Sequence, residues 1–171
     1  MKLVIFDFDG TLVDSRKLIV ESNRIVFGEF GFALPSEDES FALVGMSLEQ
    51  VLPRLAGPDA PVAQMVAAYQ RVLPQIRADA AFAEVPFDGA ADLLSALSER
   101  EDVRLGIATG HVSHMIAPAL ERFGWLGHFC TVQTADKAPS KPHPGMVHQA
   151  LSEANVEAAD AIMVGDTTFD I

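Results

Sequence analysis

The segment "FDFDGTLVDS", residues 6–15, decides the fold because it runs from an apolar stretch directly into two carboxylates. With the residues before it, the segment predicts a buried strand over Lys2–Phe8. Asp7 and Asp9 then lie at the end of that strand, where burial of an unpaired carboxylate is costly. We therefore expect a cation or a reacting group to balance their charge.

Composition limits the class of protein. The 171 residues, 49% of them hydrophobic, are enough for one good core and a small second unit. A net charge of −12 argues against nucleic acid and against an anionic membrane as partners. Cys130 is the only cysteine, and no apolar run approaches the roughly 18 residues of a membrane span. An acid as early as Asp7 argues against a signal peptide, so we expect a cytoplasmic protein without disulfides.

Short apolar runs alternate with helical patterns along most of the chain. Further strands are predicted at 103–109, 129–133 and 161–165. Helices are predicted at Ala90–Glu99, Val112–Phe123 and Pro144–Ala154, with Pro118 expected to kink or shorten the second. Strands separated by helices of this length form right-handed crossovers. The predicted fold class is α/β, with a doubly wound, Rossmann-like parallel sheet as its core.

Residues 15–82 interrupt this alternation, because they show helical periodicity and no strand pattern. We predict an inserted, all-helical unit here and call residues 15–82 the cap. Residues 1–14 and 83–171 then form the α/β core. Such an insertion follows the first strand and lies over its carboxyl end.

Polar residues follow the predicted strands where ligands of open α/β sheets bind. These residues are Asp7 and Asp9 after the first strand, Thr109 after the second, Lys141 in the loop after the third, and Asp166 after the fourth. Each alone is compatible with an ordinary turn or helix cap. Their common position at one edge of one sheet predicts a single site.

Four segments carry a resemblance to a known family. "DFDGT" at 7–11, "ATG" at 108–110, "KPHP" at 141–144 and "GDTTFD" at 165–170 resemble the signature segments of the haloacid dehalogenase superfamily in order and spacing. The cap resembles the small cap of its phosphoglycolate phosphatases. The resemblance implies a magnesium-dependent phosphatase that hydrolyses a small phosphate ester through an aspartyl-phosphate.

The chemistry of the acids agrees with this expectation. Asp7 is the expected nucleophile. Mg²⁺ is expected on the Asp7 carboxylate, the Asp9 carbonyl and the Asp166 carboxylate, because it prefers oxygen ligands and offsets repulsion between Asp7 and the phosphate. The Asp9 side chain is then free to act as general acid and base.

The remaining residues are expected to hold the phosphate or to support those that do. The Thr109 hydroxyl and the backbone amides near Gly10 and Gly110 are expected to bind phosphoryl oxygens. Lys141 supplies a compact positive charge, and Asp170 is expected to orient it or a metal-bound water.

Two further residues concern the cap. Asp14 is expected either to steady the chain entering the cap or to support the site. Arg54, close to "GMSLEQ" at 45–50, is the best cap candidate for binding an anionic substrate tail.

Similar scaffolds also serve other functions. Asp9 argues against a dehalogenase, which lacks the second aspartate, and against a phosphonate hydrolase, which also needs a cap lysine beyond Lys17 at the cap's edge. A phospho-accepting signalling receiver needs an aspartate on its third strand, and 129–133 contains none. A sugar phosphomutase remains open, as does an inactive or phospho-accepting binding module.

Relatives in this superfamily continue beyond the position of Ile171 with a helix and further strand material. We therefore expect the C-terminal part of the core to be truncated here. The uncovered face of the last strand, with Ile162 or Val164 exposed, is expected to favour self-association.

Overall fold

Four parallel strands form the centre of the molecule, and the computed structural model describes all 171 residues around them. The strands in chain order are β1 (Lys2–Phe6), β2 (Val13–Asp14), β3 (Val85–Pro86), β4 (Val103–Ala108), β5 (Phe129–Gln133) and β6 (Ala161–Val164). The helices are α1 (Arg16–Phe30), α2 (Glu37–Phe41), α3 (Leu48–Ala56), α4 (Val62–Arg77), α5 (Ala90–Ser98), α6 (Ser113–Arg122) and α7 (Gly145–Ala154). Pro118 lies inside α6, which continues past it to Arg122.

Strands β5, β4, β1 and β6 lie side by side in that order, and every neighbouring pair is parallel. The predicted α/β fold with a parallel sheet core is therefore confirmed. Since parallel strands end at the same edge, the residues that follow β1, β4 and β6 meet there. β6 lies at one side of the sheet, with Ile162 63% exposed and Val164 partly buried.

Helices cover both faces of this sheet. On one face Leu105 of β4 packs in one cluster with Leu94 of α5 and Ile116 of α6. On the other face Ile5 of β1 packs with Met146 of α7. Burial on both faces explains why these strands are continuously apolar in sequence. None of the helices combines the length and the apolarity needed to cross a membrane.

Helices α1 to α4 lie within residues 15–82. Helices α1, α3 and α4 pack into a second hydrophobic cluster, which Met115 of α6 joins from the core. The helical periodicity predicted for residues 15–82 corresponds to α1, α3 and α4, and the last of these ends at Arg77. Helix α2 was not predicted. It begins with a capping box, in which Ser36 Oγ accepts from the Glu39 amide and the Glu39 carboxylate accepts from the Ser36 amide.

Two short strands join the cap to the core. Strand β2 pairs antiparallel with β3, with Val13 opposite Pro86 and Asp14 opposite Val85. The pairing brings together the two places where the chain passes between core and cap. The predicted boundary between the cap, residues 15–82, and the core agrees with this pairing. That the two parts are separate domains stays a prediction.

A buried ion cluster lies next to this junction, and we call it the Glu84 cluster. Glu84 precedes β3 and is 2% exposed. Its carboxylate lies 2.8 Å from Arg77 Nε of α4 and 3.3 Å from Arg122 Nη2 of α6. Arg77 also donates to the Met115 carbonyl and Arg122 to the Glu84 carbonyl. The cluster therefore ties the last long helix of the cap to the core.

Candidate active site

The edge of the sheet where β1 and β6 end holds a second buried ion cluster, which we call the Lys141 cluster. Lys141 Nζ lies 2.8 Å from Asp7 Oδ2 and 2.6 Å from Asp170 Oδ1. All three side chains are less than 5% exposed, at 3%, 1% and 4% respectively. Two carboxylates thus share one ammonium group, which leaves surplus negative charge in a buried place.

The electrostatics of Asp7 follow from this imbalance. Burial raises the pKa of Asp7 to about 7, even though Lys141 acts in the opposite direction. Asp170 and Asp9 add to the rise through their charges. A single lysine therefore does not offset the burial of Asp7, and a further cation would favour its charged form.

The acids at this edge suit a metal ion. Carboxylate oxygens of Asp7, Asp166 and Asp170 lie within 4.8 Å of one another. Both oxygens of Asp170 are already engaged, one by Lys141 and the other by the amide and hydroxyl of Thr167. Asp7 Oδ1 accepts from the Phe8 amide, but Asp7 Oδ2 accepts no hydrogen bond and only lies beside Lys141. Asp166 is exposed, and only its Oδ1 is engaged, by the Thr11 hydroxyl. Asp7 and Asp166 therefore keep some capacity, and hard oxygen ligands with access to water fit Mg²⁺.

The turn after β1 brings the Asp166 carboxylate close to the chain. Gly10 has φ +77°, and a Cβ at this position would lie 2.2 Å from Asp166 Oδ2. Only glycine allows this turn and this approach together. No hydrogen bond reaches the carbonyl oxygen of Asp9 in the same turn, so that oxygen remains available to a cation.

The amide of Gly10 itself donates to the Val13 carbonyl at 2.9 Å, so it is committed to the turn. Phosphate binding by backbone amides near Gly10 stays a prediction. Thr109 is fully buried, and its hydroxyl accepts from the His111 amide at 3.3 Å. Gly110 follows at the same edge. These two residues keep their predicted position beside the site.

The side chain of Asp9 points away from the acid cluster and toward His111. Asp9 Oδ2 lies 2.8 Å from His111 Nε2. Burial would raise the pKa of Asp9, but the His111 imidazole and the Ser15 hydroxyl together lower it to about 2. His111 was not among the residues predicted from sequence, although it directly follows the "ATG" segment. Its contact with Asp9 depends on β4 lying next to β1.

Asp14 and Arg54 lie outside the site. Asp14 accepts from the Arg16 amide and forms an ion pair with the Arg16 guanidinium, so it steadies the start of α1. Arg54 is exposed and donates to the Gln50 carbonyl of its own helix. Arg54 does not line the cavity in the cap, whereas Leu48, Val51 and Leu55 of the same helix do. Binding of a substrate tail by Arg54 stays a prediction that this arrangement does not support.

Residues 42–47, between α2 and α3, form a loop that covers the acids, and we call it the cap loop. Gly45 lies over Asp7 and Lys141, since a Cβ built on it would be 3.2 Å from Asp7 Oδ2 and 3.5 Å from Lys141 Nζ. A Cβ on Gly110 would lie 2.3 Å from the Met46 carbonyl oxygen. The Ser47 amide donates to Ser140 Oγ at 2.9 Å. The core loop that carries Lys141 is therefore bonded to the cap.

Beneath this loop a cavity of about 110 Å³ extends from Asp9 and His111 into the cap. Ten of its 17 lining residues are hydrophobic. It is the space next to the residue expected to protonate a leaving group.

Comparison with known proteins places the chain in a family. The family model described as haloacid dehalogenase-like hydrolase matches residues 4–171. A phosphoglycolate phosphatase of Agrobacterium fabrum is 30% identical over 99% of this chain and 74% of its own length. A phosphonoacetaldehyde hydrolase of Paraburkholderia xenovorans is 32% identical over 100% of this chain and 70% of its own length.

Solved structures agree on the fold. A hydrolase from Pseudomonas syringae superimposes with a TM-score of 0.85 at 20% identity, over 99% of this chain and 77% of that one. The expectations of the family and of a hydrolase, drawn from four short segments, are confirmed. The chain belongs to the haloacid dehalogenase-like hydrolase family.

Proposed function

We propose that the protein is a magnesium-dependent phosphatase that hydrolyses a small phosphate monoester through an aspartyl-phosphate on Asp7. The observation that carries this proposal is the composition of the Lys141 cluster. A buried carboxylate, held at 2.8 Å by one lysine and flanked by further acids, lies at the ligand-binding edge of the sheet. A nucleophile that must approach a phosphate dianion needs both features.

Asp7, the Asp9 carbonyl and Asp166 would hold Mg²⁺, which supplies charge neutralisation for the phosphate and for Asp7. An oxygen of Asp7 attacks phosphorus, and the bond from phosphorus to the ester oxygen breaks. Lys141 holds Asp7 in place and stabilises the equatorial oxygens together with the Thr109 hydroxyl and the Gly110 amide.

Asp9 acts as general acid and then as general base. It gives a proton to the departing ester oxygen, and in the second half it accepts one from the water that attacks the aspartyl-phosphate. That water releases phosphate and regenerates Asp7. The first half requires Asp9 in its protonated form and the second half requires its carboxylate, which is the form that its low pKa favours. The proton that Asp9 takes from water in the second half restores the protonated form for the next turnover. His111, 2.8 Å away, orients the Asp9 carboxylate for both halves.

The alternatives have less support. A sugar phosphomutase handles substrates with a second phosphate, and no lysine or arginine lines the cavity in the cap to receive one. The cap's only lysine, Lys17, is exposed and lines no part of that cavity, so it is poorly placed for a Schiff base. An inactive binding module would not require the nucleophile, the lysine and the acid–base residue to be retained together.

A labelling experiment tests the proposal. The parent protein is incubated with radiolabelled acetyl phosphate and Mg²⁺, quenched in acid and examined for covalently bound phosphate. We expect acid-stable label that hydroxylamine removes, as for an acyl phosphate, and none in Asp7→Asn. Asp92→Asn, the same change at an exposed position of α5, should label like the parent. Absence of label together with absence of turnover would contradict the proposal.

A further inference from the structure

The cavity beneath the cap loop has an unusual lining for a site that handles charged esters. Asp9, the residue proposed to protonate the leaving oxygen, lines it. A leaving group that receives its proton from Asp9 would lie in this space. Its lining then determines which alcohols the enzyme releases.

Most of the lining is apolar and comes from both sides of the cap. The apolar side chains belong to α1, α3, α4 and the cap loop: Leu18, Ile19, Leu43, Val44, Met46, Leu48, Val51, Leu55, Tyr69 and Leu73. Leu48, Val51 and Leu55 are spaced along one face of α3. His111 is the only basic side chain in the lining, and it faces Asp9. A negatively charged leaving group would meet no free cation and would face the Asp9 carboxylate.

The polar wall of the cavity is uncharged, and its hydrogen atoms are largely used. Tyr69 donates its hydroxyl hydrogen to Asn23 Oδ1 at 2.5 Å. Asn23 Nδ2 donates to Ser40 Oγ at 2.9 Å, and Ser40 Oγ donates to the Ser36 carbonyl. Ser22 donates its hydroxyl hydrogen to the Ile19 carbonyl.

What remains on this wall are oxygen lone pairs and one N–H of Asn23. Lone pairs accept from a hydroxyl group, whereas a carboxylate or phosphate needs several donors. The wall is therefore suited to an alcohol and unsuited to an anion, since a buried anion without donors is costly.

We propose that the enzyme selects phosphate esters whose leaving group is uncharged and mainly apolar, with at most a hydroxyl group at its far end. This inference rests on the proposed function and narrows it. The volume limits the size as well: a cavity of about 150 Å³ admits benzene. A cavity of about 110 Å³ therefore holds a somewhat smaller group.

Three matched esters test the proposal: butyl phosphate, 4-hydroxybutyl phosphate and 3-carboxypropyl phosphate. With Mg²⁺ we expect kcat/KM for the first two to exceed that for the carboxylate on the order of thirtyfold. Equal or faster turnover of 3-carboxypropyl phosphate by the parent would overturn the proposal. This comparison uses the parent protein alone, so it does not depend on whether a variant folds.

Two variants of α3 test whether an added positive charge in the cavity wall reverses the preference between the esters. Val51→Lys places an ammonium group in the cavity wall and should shift the preference toward 3-carboxypropyl phosphate by about tenfold or more. Gln50→Lys adds the same charge one residue away, where it does not line the cavity, and should keep the parent's preference. Parallel behaviour of the two variants would contradict the assignment of the cavity.

Acetyl phosphate separates the two levels of the proposal, because its small leaving group needs little of the cavity. Turnover of acetyl phosphate with a preference for the carboxylate ester would overturn the substrate class alone. No turnover of acetyl phosphate or of any ester by the folded protein would overturn the proposed function as well.

Discussion

The molecule contains two buried ion clusters of opposite composition. In the Glu84 cluster one carboxylate lies between two guanidinium groups, whereas in the Lys141 cluster one ammonium lies between two carboxylates. The surplus charge of the Glu84 cluster is met by backbone carbonyls, and the Arg122 side chain is 37% exposed to water. The surplus charge of the Lys141 cluster is met only in part, by the Phe8 amide on Asp7 and by the Thr167 amide and hydroxyl on Asp170. Asp7 Oδ2 accepts no hydrogen bond, and Asp166 adds further negative charge beside it.

This difference separates a structural cluster from a candidate catalytic one. The Glu84 carboxylate is paired with two guanidinium groups, and the surplus positive charge reaches water through Arg122, so this cluster needs no further partner. Buried charges left in surplus at a ligand-binding edge indicate a partner that arrives from solution, for which we propose a cation and a phosphate. Changes to the two clusters should consequently affect different measurements.

The largest effect is expected from Asp7→Asn. Loss of the nucleophile should reduce turnover of a phosphate ester by at least about 1000-fold, or ~4 kcal/mol in the barrier. The nearly isosteric amide leaves Lys141 paired with Asp170, so the free energy of unfolding should change little. Steady-state rates and urea unfolding of the same preparation provide the measurement. Activity within about tenfold of the parent would contradict the role of Asp7.

Glu84→Gln should give the opposite pattern. Two arginines lose their shared carboxylate, and breaking a buried pair costs about 3 kcal/mol, the lower end of the usual range because Arg122 reaches water. Turnover measured well below the melting temperature should stay within a few-fold of the parent. Glu121→Gln, the same change at an exposed position of α6, is the control. A stable Glu84→Gln variant with little activity would reverse our assignment of the two clusters.

Mg²⁺ should stabilise the folded protein by binding at the Lys141 cluster and not at the Glu84 cluster. At about 100 times its dissociation constant, a ligand that binds the folded state adds ~2.7 kcal/mol. We expect this stabilisation in the parent and in Glu84→Gln, and its loss in Asp166→Asn. Thermal unfolding across a magnesium titration, with excess chelator as the zero point, measures it. Equal stabilisation of Asp166→Asn would exclude this carboxylate as a ligand.

The smallest expected effect concerns His111, which connects the site to the cavity without belonging to either cluster. Replacing it by Phe keeps the ring beside Phe8 but removes the contact with Asp9. We expect kcat to fall about tenfold, or ~1.4 kcal/mol, with KM nearly unchanged. His111→Gln, which retains an N–H, should recover part of kcat. A change confined to KM would instead indicate a role in binding the leaving group.

Much of the fold could be predicted from the sequence because its signals are local. Buried parallel strands are short apolar runs, and helices that cover them show a 3.6-residue period. Strands β2 and β3 were missed because two residues carry no period. Helix α2 was missed because its start, next to Pro35, resembles a turn.

The site could be predicted in part for the same reason. Residues that follow strands meet at one edge of the sheet, so Asp7, Lys141, Asp166 and Asp170 were predicted together and lie together. The features that the sequence does not reveal depend on orientation. His111 contacts Asp9 because β4 lies next to β1, and the exposed position of Arg54 depends on which face of α3 packs inward.

The contact between Gly110 and the carbonyl of Met46 limits how closely the cap loop can approach the core. Both partners are backbone groups, so the distance between the cap loop and Asp7 is set by two backbone segments rather than by side chains. The walls contributed by α1 and α3 can then change without altering the clearance over the reacting phosphorus. One scaffold can acquire new leaving groups by exchanging a few helix residues, provided that position 110 stays without a side chain.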